Sequence, residues 1–168
     1  PAHWGPATWR ALSAALRTNP TLVSDSVAAL TALHANRGLV TRGVVALLDF
    51  GGSGTSITLA DAASAFEPIA ETSRYPEFSG DQIDQALLHH VLDGISSAGR
   101  VDPAGTAAVG SLARLREECR IAKERLSAET VAELVAELPG YRSSIRVTRA
   151  ELEQLISEPL GGVLATLE

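Results

Sequence analysis

The chain has 168 residues, of which 45% are hydrophobic and 20% charged, which is typical of a globular domain with a sizeable core and excludes a disordered chain. Its net charge of −6, its single lysine, Lys123, and an aromatic content of 4% argue against a nucleic-acid partner. The one cysteine, Cys119, excludes an internal disulfide framework and fits a reducing compartment, and no apolar run is long enough to span a membrane.

The beginning of the chain predicts two helices with a short strand between them. Pro6 suits the first turn of a helix. The predicted inner face of that helix comprises Trp9, Leu12, Ala15 and Leu16. Leu22 and Val23 are expected to form a short buried strand, and Ser24 or Asp25 can then cap a second helix.

A glycine-rich turn between two predicted strands is the most informative stretch. The apolar run of residues 44–48 ends in Asp49, and a second strand with alternating apolar residues, Ile57 and Leu59, follows the turn. The turn contains Gly51, Gly52, Ser53 and Gly54. Glycines permit positive φ and leave N–H groups uncovered, so this turn can close round an anion such as phosphate, and Asp49 could hold a metal through water. The alternative is an ordinary hairpin, which this short motif alone would favour.

The middle of the chain predicts a third strand and two long helices. Residues 65–72 are expected to form the strand. Ser79 and Gln82 fit a capping box at the start of a helix that would end near Gly99. Asp102-Pro103 would start a longer helix. The apolar face of this longer helix comprises Val109, Leu112, Leu115, Cys119, Ala122 and Leu126.

The end of the chain predicts a hairpin and a final helix. Residues 130–138 and 143–147 are expected to be the two strands, joined by Pro139-Gly140, which suits a type II turn with positive φ at the glycine. Thr148 and Glu151 fit a second capping box. The helix that follows should break or kink at Pro159.

With its elements in this order, the chain resembles the Hsp70 family within the actin-like ATPase superfamily. The resemblance rests on short stretches in the family's order and at near-family spacing. The first three are Pro1-Ala2-His3-Trp4, Asp25-Ser26-Val27-Ala28-Ala29-Leu30 and Asp49-Phe50-Gly51-Gly52-Ser53-Gly54-Thr55-Ser56. The others are Phe78-Ser79-Gly80-Asp81-Gln82-Ile83-Asp84, residues 119–127 beginning at Cys119, and residues 145–152 beginning at Ile145.

The resemblance implies a fold and a division into subdomains. The chain would be most of lobe II of an Hsp70-type nucleotide-binding domain, an α/β lobe of the ribonuclease H-like kind with a mixed sheet and flanking helices. Residues 1–98 and 148–168 would form the lower subdomain, and residues 99–147 a small α+β upper subdomain with the hairpin. Because the chain has no methionine and begins at Pro1, we expect it to be a piece of a longer protein.

The resemblance also implies roles for particular residues. Asp49 would hold a Mg²⁺-bound water, and Asp25 stands where the family has a glutamate near Mg²⁺ and the nucleophilic water, so both are catalytic candidates. The implied nucleotide-binding residues are Gly51, Gly52, Ser53, Gly54, Thr55, Gly80, Asp81, Arg120, Lys123 and Ser127. For Asp25, Gly80 and Asp81 the alternative role is helix capping, and for Arg120, Lys123 and Ser127 it is a solvated helix face.

The sequence departs from the family pattern at the turn and on the adenosine-contacting helix. Ungapped alignment puts the family's third glycine on Ser53, its threonine on Gly54 and its closing acid on Ser56. Hydrolysis needs a hydroxyl and an acid beside the attacking water, so these changes affect catalysis more than binding. Arg120 replaces a glutamate and Glu124 replaces a basic residue.

The function implied is that of an ATP- or ADP-binding lobe of an Hsp70-like chaperone-type ATPase. ATP or ADP and Mg²⁺ are expected only with the complete domain, and the fragment alone should be inactive, because lobe I of the same parent chain is missing. Co-chaperone or client proteins are further expected partners, and the expected location is cytoplasmic, with no membrane contact. The alternatives are a pseudo-ATPase scaffold that binds proteins and an actin-like cell-division or filament protein.

Overall fold

The computed structural model of the chain describes residues 1–16, 21–97 and 109–167. Its α/β class agrees with the prediction. The chain divides into two compact units, Pro1–Pro76 and Glu77–Glu168. The predicted helix end near Gly99 and helix start at Asp102-Pro103 lie outside the described residues. Within the described residues, no helix combines the length and the apolar composition that crossing a membrane requires.

Among its described residues, the first unit contains two helices and a small antiparallel sheet. Its elements are α1 (Pro6–Ala15), α2 (Asp25–Arg37), β1 (Val44–Phe50), β2 (Thr55–Asp61), a 3-10 turn (Ala62–Ser64), β3 (Glu67–Pro68) and β4 (Ser73–Tyr75). Strand β2 pairs with β1 along its whole length and also with β3 and β4. All of these pairings are antiparallel, and they confirm the predicted strand pair on either side of the glycine turn.

Two predictions for the beginning of the chain are wrong. Helix α1 starts at Pro6 as predicted, but none of its residues is buried, so the predicted inner face does not form. Leu22 and Val23 are not in a strand, and Val23 is 58% exposed. An apolar pair indicates a buried strand only if a neighbouring strand is available to pair with it.

The predicted strand over residues 65–72 is also wrong, because the chain turns sharply there. Asp61 accepts hydrogen bonds from the Ala63 N–H (2.9 Å) and the Ser64 hydroxyl (2.8 Å), and these local bonds compete with an extended backbone. Ala65 and Phe66 follow with φ of 53° and 62°, in the left-handed region. This turn buries the Phe66 side chain in a small core with Leu30 and Ala60, and only the short strand β3 remains.

The described part of the second unit contains a β-hairpin with three helices. Its elements are α3 (Gly80–Ser97), α4 (Val109–Leu126), β5 (Val131–Leu138), β6 (Tyr141–Thr148) and α5 (Arg149–Ala165). The hairpin is confirmed, and Gly140 has the predicted positive φ, 76°. The core of this unit includes Leu87 of α3, Leu115 and Cys119 of α4, and Leu134 of β5. Apolar residues at helical spacing therefore contribute to this core, as predicted for the apolar face of α4.

Both predicted capping boxes lie at helix starts. The Thr148 hydroxyl accepts from the Glu151 N–H at 3.2 Å, and the Glu151 carboxylate accepts from the Thr148 N–H at 2.7 Å. At the start of α3, the Ser79 hydroxyl accepts from the Gln82 N–H at 3.2 Å. Helix α5 does not break at Pro159 but continues to Ala165. Its second half still buries Val163 completely, and such packing can offset the hydrogen bond that proline removes.

The predicted subdomain division remains a prediction. Helices α3 and α5 were assigned to the lower subdomain, and in this structure they pack with α4 and the hairpin within the second unit. The unit boundary after Pro76 therefore differs from the predicted subdomain boundaries at residues 98–99 and 147–148.

Candidate functional site

The glycine turn joins β1 to β2 as a tight loop. The Gly51 N–H donates to the Gly54 carbonyl at 3.0 Å, and Gly52 and Ser53 form the tip of the loop. Strand register continues on both sides, since Phe50 pairs with Thr55 and Asp49 with Ser56.

Other atoms closely approach two of these glycines, Gly51 and Gly54. None of Gly51, Gly52 and Gly54 has a left-handed φ. A Cβ atom on Gly51 would lie 2.9 Å from the Gly54 carbonyl oxygen, and one on Gly54 would lie 2.8 Å from Nη2 of Arg74. Positive φ, which the sequence suggested as the reason for the glycines, is therefore not what selects them here.

Arg74 of β4 lies over this turn. Its Nη2 donates to the Ser53 hydroxyl at 2.8 Å, and its Nη1 lies 3.5 Å from the Ser56 hydroxyl and 3.4 Å from His3 Nδ1. Partial burial, and then the positive charge of Arg74, lower the pKa of His3 below its ordinary value. A neutral imidazole can accept a hydrogen bond from the guanidinium.

Arg74 is a residue that the sequence analysis missed. Its position follows from strand pairing, because Arg74 is directly opposite Ser56 in the β2–β4 register. The predicted strand over residues 65–72 ends before Arg74 and gives it no strand partner. A prediction that paired residues 73–75 with β2 would have placed its side chain near the turn.

The two predicted catalytic acids line the same cavity. Asp25 at the start of α2 and Asp49 near the end of β1 both line a space of about 190 Å³, together with the hydroxyl-bearing residues Ser56 and Thr58. Asp25 also accepts a hydrogen bond from the Ser26 N–H at 2.9 Å, as a residue at a helix start would. Thr55 is fully buried, so its side chain does not lie on the surface of the turn.

The predicted adenosine-contacting residues belong to the second unit, where Lys123 joins α4 to α3. Its Nζ lies 2.7 Å from Asp84 Oδ1 and donates to the Gly80 carbonyl at 3.1 Å. Asp84 is only 4% exposed, and no other donor among the described residues bonds this oxygen. Asp81, in the first turn of α3, is exposed.

Arg120 is held by acids of its own helix. Its Nε and Nη2 donate to the two carboxylate oxygens of Glu117 at 2.9 and 2.6 Å, and Nη1 contacts Glu124. Ser127 donates its hydroxyl to the Glu124 carbonyl at 2.6 Å. Arg120 and Glu124 thus form an ion pair within α4. The family has the acid at the first of these positions and the base at the second, so this chain keeps an oppositely charged pair with the two charges exchanged.

Comparison with known proteins identifies the family. The family described as "Hsp70 protein" matches residues 22–168. The "Heat shock cognate HSP70 protein" of Trypanosoma brucei brucei is 28% identical over 127 residues, which cover 74% of this chain and 19% of that protein. The "Chaperone protein DnaK" of Cenarchaeum symbiosum (strain A) is 29% identical over 120 residues, covering 67% and 18%. The chain spans about a fifth of the length of these curated relatives. Because the family match extends over most of its length, the chain belongs to the Hsp70 family.

Proposed function

We propose that this chain is an ATP- or ADP-binding part of an Hsp70-like chaperone-type ATPase. The observation that supports this most is the cavity shared by Asp25 and Asp49, since the two acids are distant in sequence and the cavity adjoins the strand ends that carry the glycine turn. In this proposal the N–H groups at the turn face phosphate, and the two acids face the metal that accompanies it.

The oxygen atoms around the cavity suit Mg²⁺. This ion prefers oxygen ligands, keeps several of its waters and is usually held by one or two carboxylates. Within the described residues, no three His, Cys, Asp or Glu side chains converge as a metal site. Asp49 would therefore hold the ion through water, and Asp25 would orient those waters. When bound, Mg²⁺ supplies positive charge that neutralises the phosphates.

The proposed activity depends on the rest of the parent protein. Phosphoryl transfer requires a cleft that excludes water and positions the nucleotide from several sides, and this chain corresponds to about a fifth of its relatives. We therefore expect no measurable ATP turnover by the chain alone. Lobe I of the parent, together with co-chaperone and client proteins, would be the partners.

A pseudo-ATPase scaffold is the second candidate, and the adenosine helix favours it. Arg120 bonds within α4, Ser127 bonds to the last turn of α4, and Lys123 bonds to α3, so the polar groups assigned to adenosine already have protein partners. A scaffold would keep this fold without turning over nucleotide and would use its surface to bind proteins.

Calorimetric titration of Mg²⁺–ADP into the intact parent protein separates the two candidates. The swap of Arg120→Glu with Glu124→Arg should tighten binding about ten- to a hundredfold by restoring hydrogen bonds to charged groups. Asp49→Asn should weaken binding, whereas Glu71→Gln, which changes an exposed acid of the first unit, should not. No binding at millimolar ADP, with no effect of the swap, would favour the scaffold.

A further inference from the structure

The charge of Arg74 has only neutral partners. The guanidinium contacts the hydroxyls of Ser53 and Ser56 and the imidazole of His3. Within the described residues, no carboxylate lies at ion-pair distance from it. An arginine that is held at a glycine turn without a counter-ion has its positive charge available for an anion.

The guanidinium also lies against the turn before any ligand arrives. The β2–β4 pairing sets its backbone opposite Ser56, and its Nη2, Cζ and Nε atoms lie so close to Gly54 that a Cβ there would be 2.8–3.0 Å away. The short bond to Ser53 brings the planar group to the tip of the turn. Its fork of N–H donors matches the geometry of phosphate oxygens, and a group already ordered loses less entropy on binding.

Ser56 explains why the charge is uncompensated. Where the family has a closing acid the chain has Ser56, and where the family has a third glycine it has Ser53. An aspartate at position 56 would lie opposite Arg74 and neutralise it, whereas the hydroxyl present there only accepts a weak hydrogen bond at 3.5 Å. Ser56 therefore makes this edge of the turn more positive than the family pattern does, whereas Ser53 adds a hydroxyl that accepts from Arg74.

We propose that Arg74 is a phosphate-binding residue of this chain, with its guanidinium bonding the phosphoryl oxygens of a ligand held at the glycine turn. This inference rests on the proposed function only for the identity of the ligand, a nucleotide. The contacts of Arg74 support the anion site independently of that identity. Because the positive charge is supplied by the protein, phosphate binding at the turn should persist without Mg²⁺.

The test is calorimetric titration of the chain with inorganic pyrophosphate in EDTA at low salt. Arg74→Gln should weaken binding about ten- to a hundredfold, since it removes a charged hydrogen-bond donor. Arg74→Lys, which keeps the charge but not the fork, should give an intermediate loss. Arg42→Gln is the matched control, because Arg42 is an exposed arginine just before β1, at the end of the hairpin opposite the turn.

A parallel titration of the intact parent protein with Mg²⁺–ADP distinguishes this inference from the proposed function. Equal pyrophosphate binding by the wild type, Arg74→Gln and Arg74→Lys would overturn the role of Arg74, even if ADP binds. Loss of pyrophosphate binding in Arg74→Gln, with ADP no tighter than pyrophosphate, would support the anion site and count against nucleotide binding. If the wild type binds neither ligand, both proposals fail. Circular dichroism of each variant shows whether it is folded. If Arg74→Gln is unfolded, the comparison of Arg74→Lys with the wild type tests the proposal.

Discussion

Replacing Lys123 by methionine should strongly destabilise the second unit, because it leaves the Asp84 carboxylate buried without its cation. The two side chains are 20% and 6% exposed, their charged atoms are 2.7 Å apart, and Asp84 Oδ1 has no other donor among the described residues. Removing one partner of a buried ion pair costs roughly 3–5 kcal/mol. Since Lys123 is partly accessible to water, we expect a loss of about 3 kcal/mol, at the lower end of this range.

Urea unfolding followed by circular dichroism measures this loss. With m values of about 1–3 kcal/mol/M, the midpoint should fall by roughly 1–3 M. The double variant Lys123→Met with Asp84→Leu should recover most of the stability, because it removes both buried charges and a double-mutant cycle then isolates their coupling. Arg120→Met is the matched control on the same helix. It breaks only exposed ion pairs, each worth about 0–1 kcal/mol.

The opposite pattern would refute this reasoning. If Lys123→Met unfolds at the same urea concentration as the wild type but weakens ADP binding in the parent protein, then Lys123 serves the nucleotide and its contact with Asp84 is incidental. If the double variant is less stable than Lys123→Met, the carboxylate is not the source of the loss.

Three further predictions concern the second unit. Leu115→Ala, at a side chain that is 1% exposed, should cost about 2–5 kcal/mol and lower the melting temperature. Burial, and then the nearby acid Asp84, raise the pKa of Cys119 to about 12, so at pH 8 its thiol should react with Ellman's reagent far more slowly than in urea; equal rates would contradict the packing. Hydrogen bonds from Thr148 lower the pKa of Glu151 in the folded state. The ionised Glu151 carboxylate therefore stabilises the folded protein at pH values above its ordinary pKa, and this stabilisation is lost as the pH falls through the lowered pKa of the folded state. Glu151→Gln should therefore reduce the drop in melting temperature between pH 6 and pH 3, and an unchanged drop would show that the cap does not contribute.

Features with local causes were predicted correctly. The capping box at Thr148 and Glu151 and the turn at Gly140 each depend on residues within a few positions of one another, so the sequence pattern alone specifies them. The apolar face of α4 depends on helical spacing, and Leu115 and Cys119 are buried on it as expected.

Features that depend on distant partners were missed or were accessible only through the family resemblance. The failed strand over residues 65–72 depends on side-chain bonds from Asp61, which divert the backbone before the apolar residues. Arg74 reaches the glycine turn only through the β2–β4 pairing. Composition and spacing could not predict that Asp25 and Asp49 line one cavity. Only the family resemblance indicated it, because it implied roles for both acids near the same metal.

The order of elements in the second unit has a consequence for how the protein folds during synthesis. Helix α4 ends at Leu126, β5 begins at Val131, a turn of Pro139 and Gly140 leads into β6, and α5 starts directly after β6. Contacts between neighbours in sequence close short loops, which costs little entropy and favours rapid folding. Helix α5 is the last of these elements to leave the ribosome. Because it follows β6 without a connecting loop, its docking completes a nearly assembled unit and closes no long loop.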